Sequence, residues 1–206
     1  MTHPVPDGDI LIHAGDGTNV GRMNEIAAFG VWLRSFPHKH KIFIAGNHDW
    51  MFEKNPTVAV QLLNQGILGL NNKSGIVYLQ DNITEIEGLK IYGSPWQPAF
   101  FNWAFNLDRG EAIKRKWDMI PEGLDILITH GPPMGIQDQI TAHLGSEHLG
   151  CEELMKAVER AKPKIHVFGH IHGGYGKVQY PNTLFANAAI CTEAYKPINE
   201  PIVIDL

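Results

Sequence analysis

The sequence predicts an α/β fold, and two observations lead to that prediction. Short runs of β-branched and aromatic residues are followed by glycine and polar residues, which is typical of buried strands that end in loops. Segments with apolar residues near helical spacing alternate with several of these runs. Hydrophobic residues make up 44% of the chain and charged residues 19%, as in ordinary globular enzymes. We expect a single domain over residues 1–206.

The elements can be assigned in chain order. The predicted strands cover residues 9–14, 41–45, 75–79, 83–86, 89–92, 124–129 and 165–168, and β-rich runs follow at 178–180, 184–189 and 202–204. The predicted helices cover residues 20–36, 55–64, 108–117 and 150–161. The short spacing of the runs between 75 and 92, with a Glu87-Gly88 turn, predicts hairpins. The strand, helix, strand order at the start predicts a parallel pair with a right-handed crossover.

Composition and charge exclude several classes of function. The net charge of −5, without a block of Lys or Arg, gives no electrostatic footprint for general nucleic-acid binding. No apolar stretch approaches the length that crosses a bilayer, so no membrane partner is expected. Cys151 and Cys191 are far apart and lack metal-site spacing, so both are predicted to be buried free thiols. We expect a cytoplasmic location.

Polar side chains with metal-binding atoms follow four of the predicted strands. They are Asp16, Asn47, His130 and the pair His170 and His172. The crossover at the start of the chain places Asp16 and Asn47 at the same edge of one sheet. His170 and His172 are two residues apart in an extended segment, so both rings can address one small volume. A set of imidazole, carboxylate and amide donors suits Mn, Fe, Zn or Ni, with one or two divalent ions bound.

Other interpretations stay open at this point. The segment Asn47-His48-Asp49, taken alone, is equally typical of a polar turn with a helix N-cap. His13 and His166 lie within strands and are predicted to be core histidines or to support the ligands. The aromatic stretch 96–105 is either a satellite core or a flap whose rings stack on a planar base.

The ordered motifs resemble those of the calcineurin-like metallophosphoesterase superfamily. They are Gly15-Asp16, Gly46-Asn47-His48-Asp49, Thr129-His130-Gly131 and Gly169-His170-Ile171-His172, each after a predicted strand. More narrowly, the chain is similar to the subfamily of metallophosphoesterase-domain-containing proteins of animal brain and many bacteria. That similarity is carried by Ile12-His13-Ala14-Gly15-Asp16, Tyr92-Gly93-Ser94-Pro95-Trp96-Gln97-Pro98, Asn102-Trp103-Ala104-Phe105-Asn106, His130-Gly131-Pro132-Pro133 and Gly173-Gly174-Tyr175-Gly176.

The resemblance implies two packed mixed β-sheets flanked by helices and a two-metal site at the strand ends. In that arrangement Asp16 bridges both metals, while Asn47, His130 and His170 complete one site. His172 belongs to the other site, and His48, oriented by Asp49, acts as general acid or charge stabiliser. The implied function is a metal-dependent phosphoesterase that hydrolyses small phosphomonoesters or phosphodiesters, nucleotides among them. A metal-activated hydroxide attacks phosphorus, and His48 protonates the leaving alkoxide.

The chain departs from the family pattern at its start. The superfamily begins with a strand ending in Asp-x-His, and here Met1-Thr2-His3 stands where that motif would finish. We therefore expect the first strand to be missing, His3 to be a mobile terminal residue, and the second metal site to be depleted. The alternative function is a weakly active or inactive nucleotide-binding or regulatory protein. An unpaired sheet edge should then be covered in a homodimer or by the N-terminal segment.

Overall fold

The computed structural model describes residues 4–66, 75–142 and 145–206, so His3 lies outside the described residues. The strands are β1 (Ile10–Ala14), β2 (His40–Ile44), β3 (Ile76–Tyr78), β4 (Asn82–Ile86), β5 (Leu89–Ser94), β6 (Gln97–Pro98), β7 (Asn106–Leu107), β8 (Ile126–Thr129), β9 (Gln139–Ala142), β10 (Gly145–His148), β11 (Ile165–Phe168), β12 (Gly176–Gln179) and β13 (Leu184–Asn187). The α-helices are α1 (Met23–Arg34), α2 (Trp50–Lys54), α3 (Pro56–Gln65), α4 (Glu111–Trp117) and α5 (Glu152–Ala161). One 3₁₀ turn spans His172–Gly174.

Two sheets carry the fold. The smaller sheet has the strand order β1-β2-β3 and is parallel throughout its described ladders. The larger sheet has the order β12-β13-β11-β8-β5-β4, with a parallel centre and antiparallel strands at both edges. The short strands β6 and β7 pair in parallel, and β9 pairs antiparallel with β10.

The two sheets pack face to face. Alternate residues of each strand point to opposite faces, and the apolar side chains on one face of each sheet form a shared cluster. Ile42 and Ile44 of β2 face Ile126 and Ile128 of β8 in one cluster, and these four side chains are at most 3% exposed. The residue between the first pair, Phe43, points to the other face and packs under α1 and α3. Helices α4 and α5 cover the outer face of the larger sheet in the same way. The result is a helix, sheet, sheet, helix sandwich.

The structure confirms the predicted fold class and the parallel pairing of the first two strands. The strands β1 and β2 are parallel over Ile10–Ala14 and His40–Ile44, with α1 between them in the chain. The predicted hairpin at Glu87-Gly88 is also confirmed, since β4 pairs antiparallel with β5 and both turn residues have positive φ. The predicted second helix begins at its predicted N-cap, because the Asn55 side chain accepts a hydrogen bond from the Val58 backbone N–H.

Two local predictions differ from the structure, and some short elements were not predicted. The strand β3 does not form a hairpin with β4 and instead pairs in parallel with β2, in the other sheet. Residues 202–204 lie outside any strand, although Ile204 packs into the cluster between the sheets. The short helix α2 and the pair β9–β10 have no predicted counterpart, because a five-residue helix and mixed polar strands give weak periodic signals.

Two smaller expectations concern the cysteines and membranes. Both cysteines are free, and Cys151 is buried while Cys191 is half-buried. Within the described ranges, no helix is both long enough and apolar enough to cross a bilayer.

Candidate metal centre

The loops that follow β1, β2, β8 and β11 meet at one end of the sandwich. Ligand atoms of Asp16, His130 and His170 all lie within 4.8 Å of one another. The Asn47 side-chain oxygen Oδ1 lies 2.9 Å from His130 Nε2 and so joins the same group. The structure therefore brings four of the five predicted ligands together, two from each sheet.

His172 lies apart from this compact group but in the same cleft. Its ring nitrogen Nδ1 donates a hydrogen bond to the Thr192 carbonyl oxygen at 3.0 Å, and Tyr195 packs edge-on against the ring. Because Nδ1 carries the proton, Nε2 is the atom available to a ligand.

The hydrogen bonds of His130 suit a cation at this position. Its Nδ1 donates to the Ala14 carbonyl oxygen at 2.9 Å, which fixes the tautomer and turns Nε2 towards two oxygens. Those are Asn47 Oδ1 at 2.9 Å and Asp16 Oδ2 at 3.4 Å. A bare nitrogen lone pair facing two oxygen acceptors in a buried site is unfavourable unless a proton or a metal ion sits between them. The donor set therefore fits a divalent cation.

The charge states of Asp16 and His170 also suit metal binding. Burial opposes ionisation of Asp16, but the imidazole of His130 holds the pKa of the Asp16 carboxyl well below its usual range. Burial lowers the pKa of His170 to about 3, so this ring is neutral, as a ligand must be. Burial also disfavours protonation of His130, yet the Asp16 carboxylate raises the pKa of that ring overall.

Glycine is required at Gly46 because the side chains of the predicted ligands leave no room for a Cβ atom. A Cβ atom there would lie 2.4 Å from Asp16 Oδ1 and 2.5 Å from His130 Cε1. Gly15 is similar, since it has a φ of 102° and a Cβ atom would lie 2.3 Å from His130 Nδ1. These glycines let the loops approach closely enough for the donors to converge.

The Asp49 carboxylate holds the loops after β1 and β2 together. It accepts hydrogen bonds from the backbone N–H groups of Gly17 (3.2 Å), Thr18 (3.0 Å) and Gly46 (2.8 Å), and from the Thr18 hydroxyl (2.7 Å). The side chain is fully buried, and burial raises its pKa to about 6, with a further contribution from the negative charge of Asp16.

The expectation that Asp49 orients the His48 ring therefore needs correction. The His48 Nδ1 atom instead donates to the Asn19 carbonyl oxygen at 2.7 Å. On its other side, the ring packs against Trp103 with 4.4 Å between ring centroids. The Asp49 oxygens are taken up by Gly17, Thr18 and Gly46 instead.

The histidines predicted within strands lie in the core. His166 is fully buried, bonds through Nε2 to the Thr129 hydroxyl at 2.8 Å, and has a pKa lowered to about 3 by burial. His13 packs among the rings of Phe29, Trp32 and Phe43, and burial lowers its pKa to about 4.

Two supporting residues were missed from the sequence. The buried Asn187 side chain donates to the Ile171 carbonyl oxygen at 2.8 Å and accepts from the Ala189 N–H at 3.0 Å, which braces the loop carrying His170 and His172. The Thr18 hydroxyl bonds to Asp49 as described above. A signal for Asn187 was present, because it is another polar residue at the end of a β-rich run.

A cleft of about 700 Å³ opens over these donors. Its walls are an aromatic loop on one side and residues of the chain near the C-terminus on the other. The lining residues are Asp16, Asn47, His48, Phe100, Phe101, Asn102, Trp103, Ile140, His170, Ile171, His172, Gly173, Glu193 and Tyr195. None of these described residues is Lys or Arg. An anion in the cleft would therefore be bound by imidazole rings, amide groups and any metal ion that the donors hold.

Comparison with known proteins identifies the family. The sequence profile of the family described as "Calcineurin-like phosphoesterase" matches residues 2–174. The chain belongs to the calcineurin-like phosphoesterase family. Members of this family are metal-dependent phosphoesterases, and Asp16, His130 and His170 form a group whose ligand atoms lie close enough together that they could hold a metal ion.

Similar proteins narrow the placement within this family. Metallophosphoesterase domain-containing protein 1 of Homo sapiens is 44% identical over 223 residues, which cover 100% of this chain and 67% of that protein. UPF0046 protein C25E10.12 of Caenorhabditis elegans is 42% identical over 209 residues, covering 98% of this chain and 74% of that protein. The predicted subfamily resemblance is thus confirmed.

Solved structures agree on the fold. The crystal structure of TT1561 of Thermus thermophilus superposes with a TM-score of 0.54 at 13% identity, covering 88% of this chain and 76% of that one. Another crystal structure gives a TM-score of 0.61 at 15% identity, covering 81% of this chain and 63% of that one.

The close contacts at Gly46 generate a prediction. Gly46→Ala should weaken Mn²⁺ binding by about 10- to 100-fold, because the added methyl group displaces Asp16 and His130. Isothermal titration calorimetry measures this affinity. Gly75→Ala is the control, since a Cβ atom there meets nothing within 4 Å. Equal affinity in the Gly46→Ala protein and the wild type would show that the donors do not act together.

Proposed function

We propose that this protein hydrolyses small phosphomonoesters or phosphodiesters, nucleotides among them, with divalent metal ions. One observation carries the proposal, namely the convergence of Asp16, Asn47, His130 and His170 at the floor of a cleft that also holds the His48 ring. Oxygen and imidazole donors in one small volume suit phosphoryl chemistry, where the protein must neutralise and position a charged group.

The proposed ligands divide between two ions. Asp16, Asn47, His130 and His170 would hold the first, and His172 with Asp16 would hold the second. The mixed oxygen and nitrogen donors suit Mn, Fe, Zn or Ni. Such ions, when bound, supply positive charge for the phosphate oxygens and make an attacking water more acidic.

His48 is proposed as the general acid. Its Nδ1–H is held by the Asn19 carbonyl, so the doubly protonated ring would give its Nε2 proton to the departing oxygen and be left as the neutral Nδ1–H ring. Asp49 supports this role indirectly, because its hydrogen bonds keep the loops that carry Asp16 and His48 in register. The backbone N–H of His48 donates to Asp16 Oδ1 at 3.0 Å, which links the proposed acid directly to a proposed ligand.

The aromatic loop supports a planar leaving or flanking group in the substrate. Phe100 packs on the His170 ring at 5.2 Å between centroids and Trp103 on His48, while Phe101 stands 93% exposed at the mouth of the cleft. Phe101 has a φ of 43°, and a bulky residue held in that conformation on the surface is common at functional sites. We assign Phe101 to stacking on a nucleobase.

The lining of the cleft and the free cysteines support a small-molecule substrate and a cytoplasmic location. A cleft without basic residues in its described lining gives no track for a nucleic-acid backbone, which supports small substrates over polymers. The two free thiols support a cytoplasmic location, where thiols stay reduced.

Turnover tests the proposal directly. The protein should hydrolyse bis(p-nitrophenyl) phosphate when Mn²⁺ is added, and His170→Ala and Asn47→Ala should each lower the rate by about 100-fold or more, because each removes a ligand. Release of p-nitrophenol is followed by absorbance. His40→Ala serves as the control, since His40 pairs with Glu87 away from the cleft. Absence of turnover with every divalent metal tested would refute the proposal.

A weakly active nucleotide-binding or regulatory protein is the second candidate. The separation of His172 from the compact donor group favours it, because the second ion then has fewer clustered ligands. Calorimetry that detects tight nucleoside monophosphate binding, without product in the same sample, would favour this candidate over the first.

Stacking by Phe101 can be tested with two esters that share a leaving group. Phe101→Ala should raise KM for thymidine 5′-p-nitrophenyl phosphate by about 5- to 150-fold, the equivalent of about 1–3 kcal/mol of stacking. The KM for methyl p-nitrophenyl phosphate, which has no base, should stay unchanged. If both KM values rise equally, Phe101 does not recognise the base.

The edge strand β1 supports a homodimer. Within the described ladders β1 pairs with β2 alone, and such an edge tends to recruit another strand. Sedimentation equilibrium should give twice the 23.0 kDa chain mass. A monomer at micromolar concentration, with the β1 amides exchanging freely with solvent, would contradict the homodimer.

A further inference from the structure

The aromatic loop, residues 97–107, is braced internally. Its two ends are joined by the parallel pair β6–β7, with the Gln97 N–H donating to the Phe105 carbonyl at 3.0 Å and the Ala99 N–H to the Leu107 carbonyl at 2.8 Å. The Asn106 side chain donates to the Phe100 carbonyl at 3.0 Å across the loop. A loop closed by this many hydrogen bonds holds its side chains in fixed positions.

The same loop is attached to the metal centre through its backbone. The Ala104 N–H donates to the Asn47 carbonyl oxygen at 3.2 Å, and Ala104 and Phe105 are fully buried. Trp103, the residue before this anchor, is therefore placed relative to Asn47 and to its neighbour His48.

Trp103 and Asn19 contact the His48 ring from different elements. The rings of His48 and Trp103 are 4.4 Å apart between centroids, at an interplanar angle of 43°. The Asn19 carbonyl receives the Nδ1–H at 2.7 Å. The hydrogen bond selects the tautomer, but a single bond does not fix the orientation of the ring, and the packing contact with the indole supplies a second constraint.

We propose that Trp103 is a positioning residue that holds the His48 ring in line with the leaving group. The inference rests on the proposed role of His48 as general acid. It separates the roles of two neighbouring aromatic residues, since Phe101 faces the mouth of the cleft and Trp103 faces a side chain of the protein. Loss of Trp103 should then slow hydrolysis most for substrates with a poor leaving group, since these depend most on protonation by His48.

Two diesters test this inference because they present similar rings but different leaving groups. Trp103→Ala should lower kcat for diphenyl phosphate about ten-fold more than kcat for bis(p-nitrophenyl) phosphate, since phenolate is the poorer leaving group and depends more on a well-placed acid. The KM values should change equally for both diesters. Trp103→Phe, which keeps an aromatic face, should restore most of the difference.

A second readout does not depend on activity. Carbon-13 relaxation of the His48 ring atoms Cδ2 and Cε1 in the metal-free protein should show a rigid ring in the wild type and a mobile ring in Trp103→Ala, because the Asn19 hydrogen bond alone does not fix the ring. Trp103→Leu keeps bulk in the loop and carries the same expectation if the alanine variant does not fold. Tyr180→Ala is the control, because Tyr180 is a partly exposed aromatic residue outside the cleft.

The outcomes separate this inference from the proposed function. Equal loss of kcat on both diesters, or a His48 ring as rigid in Trp103→Ala as in the wild type, would overturn the positioning role. A larger KM change with little change in kcat would mean that Trp103 binds substrate instead. Inactivity of the wild type on both diesters would refute the phosphoesterase proposal itself, while the NMR result would still decide whether Trp103 holds the ring.

Discussion

The hydrogen bonds of one buried carboxylate hold the centre of this protein together. Asp49 follows β2, yet three of its four hydrogen bonds go to Gly17 and Thr18 in the loop after β1, and the fourth goes to Gly46. A buried carboxylate is costly unless its oxygens are satisfied, so the two loops can adopt only arrangements that bring these donors to it. That constraint brings Asp16 beside Asn47 and His48, and the cleft chemistry depends on it.

The charge states of the residues at the site also depend on burial. His170 is kept neutral by the loss of solvent, while Asp16 stays ionised because the His130 imidazole lies beside it. Neighbouring groups with a similar degree of burial are thus held in different charge states by their partners. The fold therefore places imidazole lone pairs next to a buried negative charge, and this combination suits a cation. In the absence of a cation, burying that charge costs free energy.

The fold class and the polar residues at the strand ends could be predicted from the sequence, because each leaves a local pattern. Strands such as Ile42–Ile44 are apolar on both faces and stop at glycine, and polar residues after each strand indicated where the ligands would meet. The partners of those ligands could not be predicted in the same way. The contacts of His48 with Asn19 and Trp103, and of Asn187 with Ile171, join positions far apart in the chain through backbone carbonyls and ring faces, which have no sequence pattern. The prediction that β3 forms a hairpin with β4 was wrong for the same reason. Strand β3 pairs with β2, and packing across the whole domain decides which sheet a strand joins.

The distribution of the donors over both sheets has a mechanical consequence. Asn47 belongs to the loop after a strand of the three-stranded sheet and His130 to the loop after a strand of the six-stranded sheet, 83 positions away in the chain. A cation bound by both residues, as proposed, would cross-link the two sheets, whose facing surfaces pack through apolar side chains. Removal of such a cation would then lower the free energy of unfolding as well as the catalytic rate, because a ligand that binds only the folded chain stabilises it.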